Sequence, residues 1–155
     1  MERMVLVNLI ASSVARPNAF PPLWLAVGSE GPVSQALAAL SVAHGVPLIA
    51  LSRLVAASLV ELAPHDRPRR APRLFQTVPR PARGPFTILD RTALLFLPEL
   101  MLNPLQVLTE LSRTHGPIVA AWCGAWDGAV LTYACPAHPE YRRYDHPAAV
   151  VVPIA

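Results

Sequence analysis

The stretch Leu23-Trp-Leu-Ala-Val-Gly-Ser-Glu-Gly-Pro-Val-Ser34 decides the fold of this chain. Its opening residues are all apolar and predict a buried β-strand, and the residues after them supply a glycine-containing turn and the start of a helix. A buried strand followed by such a turn and a helix is the setting of a phosphate-binding loop. The stretch therefore predicts an α/β domain with a loop of this kind after its first strand.

The loop departs from the phosphate-binding pattern G-x-x-x-x-G-K-[ST] at its lysine. All thirteen side chains counted as lysine plus arginine are arginine, so no lysine can reach the β- and γ-phosphates. Gly28 and Gly31 match the glycines and Ser34 matches the final hydroxyl, but Val33 takes the lysine place in a loop one residue short. Pro32 also removes a backbone donor. The sequence predicts a degenerate phosphate loop, and a plain strand-to-helix turn remains the alternative.

The rest of the chain alternates apolar strands with helical segments. The predicted elements are strands at 46–51, 86–90 and 117–122, helices at 32–44, from Ser52 and at 104–115, and two short strands at a sheet edge, 130–133 and 149–152. Fully apolar strands separated by helices are typical of a parallel sheet covered on both faces. We predict one α/β domain over residues 1–155, with three layers and a mainly parallel central sheet.

Residues 64–85 are rich in proline and arginine and are predicted to form a long exposed connection. Its arginines can contact phosphate groups, because a guanidinium presents several donors in a planar fork. The net charge of +3 permits contact with nucleic acid or with an acidic protein and requires neither. A solvated loop and a nucleic-acid contact both remain open for these arginines, which are Arg67, Arg69, Arg70, Arg73, Arg80 and Arg83.

Asp90 ends the predicted strand 86–90, where a carboxylate can hold Mg²⁺ through water beside a phosphate loop. In many ATPases of this kind a catalytic glutamate follows that aspartate, whereas Arg91 follows it here. Efficient activation of water is therefore not expected. An aspartate at the end of a strand is also a common cap for the next turn, so both interpretations of Asp90 stay open.

The remaining polar residues form no recognised catalytic set. Cys135 and His138 lack the spacing of a zinc site, and the cysteines are predicted to be buried free thiols. The segment 138–141 is expected to fix a turn, with tyrosine rings buried beside it, and a catalytic use of its clustered polar groups is the alternative. At the start of the chain, residues 4–15 are predicted to form a core helix rather than a signal segment, and no apolar run reaches the roughly 18 residues needed to cross a bilayer.

Several segments together resemble the BrxF family, the small P-loop-containing proteins of type 3 BREX phage-defence systems. The resemblance covers roughly residues 20–145 and includes the strand ending in Asp90 and the Arg91-Thr-Ala-Leu-Leu-Phe96 that follows it. Its most specific part is the last third, with Ala120-Ala-Trp-Cys-Gly124, Leu131-Thr-Tyr-Ala134 and His138-Pro-Glu-Tyr-Arg-Arg-Tyr144.

The resemblance implies a P-loop NTPase-like core in a cytoplasmic defence component that works with other subunits of its system and does not contact a membrane. Carried over by position, Gly28, Gly31 and Ser34 match the phosphate loop and Asp90 the Mg²⁺-binding aspartate. Because the lysine is missing, we expect a subunit that requires no cofactor, does not hydrolyse nucleotide and acts through protein interactions. A regulatory subunit that binds ATP and Mg²⁺, and an accessory DNA-binding protein, remain alternatives. The apolar content of 53% also suggests a homo-oligomer.

Overall fold

The computed structural model of the protein describes residues 22–79 and 86–154. The helices are α1 (Glu30–His44), α2 (Leu51–Val60), α3 (Arg67–Gln76) and α4 (Pro104–His115). The strands are β1 (Leu23–Val27), β2 (Leu48–Ala50), β3 (Thr87–Asp90), β4 (Ile118–Trp122), β5 (Ala125–Trp126), β6 (Val130–Tyr133), β7 (Arg142–Asp145) and β8 (Val150–Pro153). Short 3₁₀ turns lie at Pro64–Asp66, Ala93–Phe96 and Pro98–Leu100.

The central sheet has five parallel strands in the order β2-β3-β4-β1-β8. β4 lies between β1 and β3, with Leu25 opposite Ala120 and Ile88 opposite Val119. Every residue of β1, β3 and β4 is buried, so these strands need cover on both faces, and this accounts for their continuous apolar sequences. The predicted α/β class with a mainly parallel sheet is confirmed.

Helices lie on both faces of the central sheet. On one face α1 buries Val33 and Leu37 in a cluster with Trp24 of β1. On the other face α3 and α4 contribute Phe75 and Leu111 to a larger cluster, which α2 also joins. Because successive side chains of a strand point to opposite faces, β1 supplies both clusters and its carboxyl end is held firmly in place.

A separate antiparallel sheet is formed by β5, β6 and β7. β6 is the middle strand of this sheet, so the prediction that residues 130–133 lie at a sheet edge is wrong, whereas 149–152 correspond to the edge strand β8. The Trp122 Nε1 donates a 3.0 Å hydrogen bond to the Thr132 carbonyl oxygen and joins the two sheets. Gly124 permits this approach, because a Cβ there would overlap the same carbonyl group.

Residues 64–76 are helical, which corrects the prediction of a long exposed connection. A 3₁₀ turn leads directly into α3, although Pro72 lies inside that helix and cannot donate a backbone hydrogen bond. Ala71 and Phe75 are fully buried among the residues covering the sheet. Burial of one helix face therefore outweighs the proline penalty. Residues 80–85 of the predicted connection lie outside the described residues.

The two predicted helix caps have different outcomes. Asn103 caps α4, since its side-chain oxygen accepts a 3.3 Å hydrogen bond from the Gln106 N–H. Ser52 lies inside α2, and its Oγ accepts from the Leu94 N–H at 3.0 Å instead of capping the helix. The predicted helix at 4–15 lies outside the described residues. Within 22–79 and 86–154, no helix is long and apolar enough to cross a membrane.

Candidate functional site

The carboxyl ends of β1, β2, β3 and β4 meet at one edge of the central sheet, because these strands are parallel. Crevices at this edge are the usual ligand sites of open α/β sheets. We name the hollow found there the edge cavity. It has a volume of about 290 Å³ and is lined by Glu30, Ser52, Asp90, Arg91, Thr92, Ala93, Cys123 and Tyr133.

Asp90 is the buried acid of the edge cavity, with 5% of its surface exposed. Its Oδ1 accepts hydrogen bonds from the Ser34 Oγ at 3.1 Å and from the Arg91 N–H at 2.8 Å. Two donors compensate for the water that this carboxylate has lost. The structure therefore brings together Ser34 and Asp90, which the sequence had placed in the phosphate loop and in the Mg²⁺ position.

The segment predicted as a phosphate loop is a tight turn, because α1 begins almost directly after β1. Gly31 and Ser34 consequently lie inside α1 rather than in a loop. The Gly28 N–H donates to the Trp122 carbonyl oxygen at 3.2 Å, and a Cβ on Gly28 would come within 2.6 Å of the Ile154 carbonyl oxygen. Gly28 thus serves close backbone packing, and its N–H is already used within the sheet.

A charged pair lies at the mouth of the edge cavity. Glu30 is the first residue of α1, and its Oε1 lies 3.2 Å from a guanidinium nitrogen of Arg91. Both side chains are more than half exposed, so the pair adds little stability. A helix N-terminus attracts anions through its free N–H groups and its dipole. The Glu30 carboxylate therefore already sits where a phosphate group would be attracted.

The backbone of Arg91 is held in an uncommon conformation. Its φ of 54° lies in the left-handed region, which residues other than glycine, asparagine and aspartate rarely adopt. Its carbonyl oxygen accepts from the Ser52 N–H at 2.8 Å, and its N–H donates to Asp90. The next residue, Thr92, is buried and donates from Oγ1 to the Ala121 carbonyl oxygen at 2.7 Å. These bonds fix the turn after β3 in one geometry.

Cys123 and Tyr133 carry the remaining titratable groups of the edge cavity. Burial raises the pKa of the Cys123 thiol to about 11, the carboxylates of Glu30 and Asp90 add to the rise, and Arg91 opposes it. Burial likewise raises the pKa of the Tyr133 hydroxyl. Both groups are neutral at pH 7, and a protonated thiol is a poor nucleophile. The cavity therefore lacks an activated cysteine.

Sequence reasoning missed several residues of the edge cavity, although a positional signal was available. Glu30, Ser52, Thr92 and Cys123 each follow closely on the carboxyl end of a different strand of the parallel sheet. Polar residues that closely follow successive parallel strands are expected to meet at one edge. Tyr133 carries no such signal, because it belongs to the separate antiparallel sheet.

Two of the arginines predicted to contact nucleic acid are engaged within the protein. The Arg67 Nε donates to the Leu59 carbonyl oxygen at 3.0 Å and ties α3 to the end of α2. The guanidinium of Arg69 lies 3.2 Å from the Asp66 carboxylate, at an exposed position. Arg67 therefore has a structural role, and the charge of Arg69 is partly neutralised.

The other arginines of that set differ in what the structure shows of them. Arg70 and Arg73 are exposed on α3 and make no hydrogen bond or ion pair with any residue in 22–79 or 86–154. Their guanidinium groups are available to a ligand. Arg80 and Arg83 lie outside the described residues.

No group of three or more histidine, cysteine, aspartate or glutamate side chains could hold a metal ion in the described part of the chain. Cys123 and Cys135 are free thiols, as predicted, but the prediction that both are buried is wrong, because Cys123 is half-buried and Cys135 is exposed. The His138 Nδ1 accepts from the Glu140 N–H at 3.1 Å, and the Tyr141 N–H donates to the His138 carbonyl oxygen at 3.0 Å. These bonds confirm that the segment 138–141 fixes a turn, but the neighbouring rings of Tyr141 and Tyr144 are half-buried rather than buried.

Comparison of the chain with protein-family models, with curated proteins and with solved structures finds no match in any of the three. The edge cavity and the exposed arginines of α3 are accordingly the features on which a function can be based.

Proposed function

We propose that this protein is a P-loop-derived domain that does not hydrolyse nucleotide and acts as a protein-interaction subunit of a bacterial phage-defence complex in the cytoplasm. The defence context rests on the resemblance to the BrxF family. The P-loop origin is supported by the placement of β4 between β1 and β3 and by the contact between Ser34 and Asp90. In P-loop ATPases a hydroxyl and an aspartate at these positions hold Mg²⁺.

The observation that carries the proposal is the tight turn between β1 and α1. A phosphate loop needs several free N–H groups wrapped around the anion. Here Gly28 uses its N–H within the sheet, Pro32 has none, and Glu30 places a carboxylate at the start of the helix. The chain has no lysine, and the Arg91 guanidinium at the mouth of the edge cavity is already paired with Glu30, so a nucleoside triphosphate would have to compete with a carboxylate for it.

Exposed apolar side chains support a role in protein interactions. Val42, Val60 and Met101 all project into solvent, and Met101 is 81% exposed. Met101 also has a φ of 52°, so it is displayed on a turn in the left-handed backbone region. Covering such an exposed apolar side chain with a partner removes apolar surface from water, which favours binding.

Calorimetric titration of the folded protein with Mg-ATP tests the absence of nucleotide binding. We expect no saturable heat up to millimolar ATP for the wild type, and the same for the variants Asp90→Ala and Gly31→Glu. Saturable binding by the wild type that both substitutions abolish would overturn the proposal and favour the ATP-binding regulatory subunit. Circular dichroism on each sample confirms that the variants are folded.

Co-purification with the proteins encoded beside it tests the interaction role. We expect at least one of them to be retained by the tagged wild-type chain and to be lost with Met101→Asp. The matched control is Val42→Asp, which adds the same charge at another exposed apolar position, on α1. If the wild-type chain retained none of these proteins, the proposed role as an interaction subunit would be contradicted.

A further inference from the structure

We propose that α3 and α4 together form a binding site for the phosphate backbone of nucleic acid. A groove of about 500 Å³ runs between the two helices and is lined by Pro72, Arg73, Gln76, Glu110, Arg113 and Thr114. A second hollow of about 510 Å³ is lined by Arg69, Arg70 and Arg73. Arg73 borders both hollows and makes them one continuous surface, which we name the arginine groove. The site lies outside the edge cavity and does not depend on nucleotide binding.

The arginine groove carries positive charge that the protein does not neutralise. Arg70, Arg73 and Arg113 are exposed and have neither a hydrogen bond nor an ion pair in the described parts of the chain. The acid on its wall, Glu110, accepts a 3.2 Å hydrogen bond from the Gln106 Nε2. The groove thus carries three unpaired guanidinium groups and one carboxylate. This net positive charge favours the binding of a polyanion.

Helix stability does not account for the placement of Arg70. Arg69 and Arg70 lie in the first turn of α3, where the helix dipole disfavours positive charge. The Asp66 carboxylate pairs with Arg69, so the positive charge of Arg70 is not compensated by it. Arg73 and Arg113 lie in the last turns of their helices, where the dipole favours a cation. At Arg70 the charge opposes the dipole, and an external anion supplies the missing counter-charge.

The two walls of the groove are held in fixed positions. Phe75 is fully buried on the inner face of α3. The His115 Nε2 lies 2.7 Å from the Val78 carbonyl oxygen, joining the end of α4 to the residues that follow α3. A polyanion would therefore meet a preformed surface, and binding requires little ordering beyond the arginine side chains.

The chemistry of the groove favours a phosphate backbone read without regard to sequence. Arg70 and Arg73 stand three residues apart on α3, so they project from neighbouring positions on the helix surface. Each guanidinium can donate two parallel hydrogen bonds to one phosphate group. Among the described residues, those that line the groove include no aromatic side chain on which a base could stack. Contacts to phosphates alone position a nucleic acid without reading its bases.

Fluorescence anisotropy with labelled DNA tests the proposal. Two single-stranded and two duplex oligonucleotides of unrelated sequence are titrated with the full chain between about 50 and 200 mM salt. We expect both sequences to bind equally, with log Kobs falling linearly against log salt. Arg70→Ala, Arg73→Ala and Arg113→Ala should each reduce the slope by about 1, and the triple variant should lose most of the salt-dependent binding.

The control is Arg53→Ala, which removes the same charge from an exposed position on α2. It should leave the slope unchanged. If Arg53→Ala reduced the slope of log Kobs against log salt as much as Arg73→Ala does, the proposal would be overturned, because net charge rather than the groove would then be responsible for binding. Absence of binding at about 50 mM salt would also overturn it, since phosphate contacts are strongest at low salt. If polyglutamate displaced the labelled DNA at the same concentrations as unlabelled DNA does, the groove would be assigned to an acidic protein instead.

Discussion

The Ser34 hydroxyl donates a 3.1 Å hydrogen bond to the Asp90 carboxylate, across 56 positions of sequence. The bond joins the second turn of α1 to the end of β3. It also anchors the turn that follows β3, because the same carboxylate oxygen accepts from the Arg91 N–H. The Arg91 side chain in turn pairs with Glu30 at the start of α1, so consecutive polar contacts link α1, the end of β3 and the turn after it.

Substitution of Ser34 tests how far the stability of this edge depends on the buried acid. Ser34→Ala removes one of two donors to a carboxylate that water barely reaches, and we expect the free energy of unfolding to fall by about 1–3 kcal/mol. Urea denaturation measures the change. Ser58→Ala, at an exposed position on α2, should change it by less than about 0.5 kcal/mol. Similar losses in both variants would show that the hydrogen bond is not the cause.

The two glycines assigned to the phosphate loop should respond in opposite directions to alanine. Gly28→Ala forces a Cβ to within 2.6 Å of the Ile154 carbonyl oxygen, and we expect a lower melting temperature as β8 is pushed away from β1. At Gly31 an added Cβ has nothing within 4 Å, and alanine in a helix is favoured by roughly 0.5–1 kcal/mol. Gly31→Ala should therefore raise the melting temperature. A fall in both variants would contradict the packing described for Gly31.

Substitutions in α3 test why a proline- and arginine-rich segment is helical. Phe75→Ala empties a fully buried position and should lower the free energy of unfolding by about 3–5 kcal/mol. Pro72→Ala restores a backbone donor inside the helix and should raise it by roughly 2 kcal/mol, after allowing for a more flexible unfolded chain. Denaturant unfolding compares both with the wild type. A loss of stability in Pro72→Ala would show that the proline fits α3 better than the helical hydrogen bond would.

The thiol of Cys123 should react slowly with iodoacetamide at pH 8 in a Cys135→Ser background. Its pKa of about 11 lies above the ordinary 9.0, so its thiolate fraction is roughly 100-fold smaller than in the unfolded chain. Glu30→Gln removes a carboxylate that raises the pKa and should accelerate the reaction, whereas Arg91→Gln should slow it. Equal rates in the two variants would contradict the electrostatic coupling.

The same shift predicts how stability varies at high pH. As the pH rises through 9.0 the unfolded chain loses the Cys123 proton, while the folded protein keeps it until about 11. The stability contributed by the protonated thiol is therefore present below pH 9.0 and is lost progressively through this window. Cys123→Ser should flatten the fall in melting temperature between these pH values. An unchanged pH profile would place its cause in other groups.

Prediction from the sequence succeeded where burial imposes a pattern and failed where distant contacts decide. The strand 86–90 was recognisable as a continuous apolar run, and the helix 104–115 was recognisable from the capping residue Asn103 before it. The helix over residues 67–76 was not, because proline and arginine disfavour it locally and only the burial of Phe75 compensates. The strand 130–133 was recognised but was placed at a sheet edge, whereas it is a middle strand, since strand pairing is not visible in a single segment.

The sequence by itself determined the parallel α/β core, the absence of a phosphate-loop lysine and the cap at Asn103, because each depends on residue type and local spacing. Only the tertiary structure decided that Ser34 and Asp90 touch and that Glu30 occupies the helix start beside Arg91. It alone placed Arg113 and Arg73 in the lining of one groove. The physical reason is that these pairs are made by elements packed side by side, and no local pattern specifies which surfaces meet.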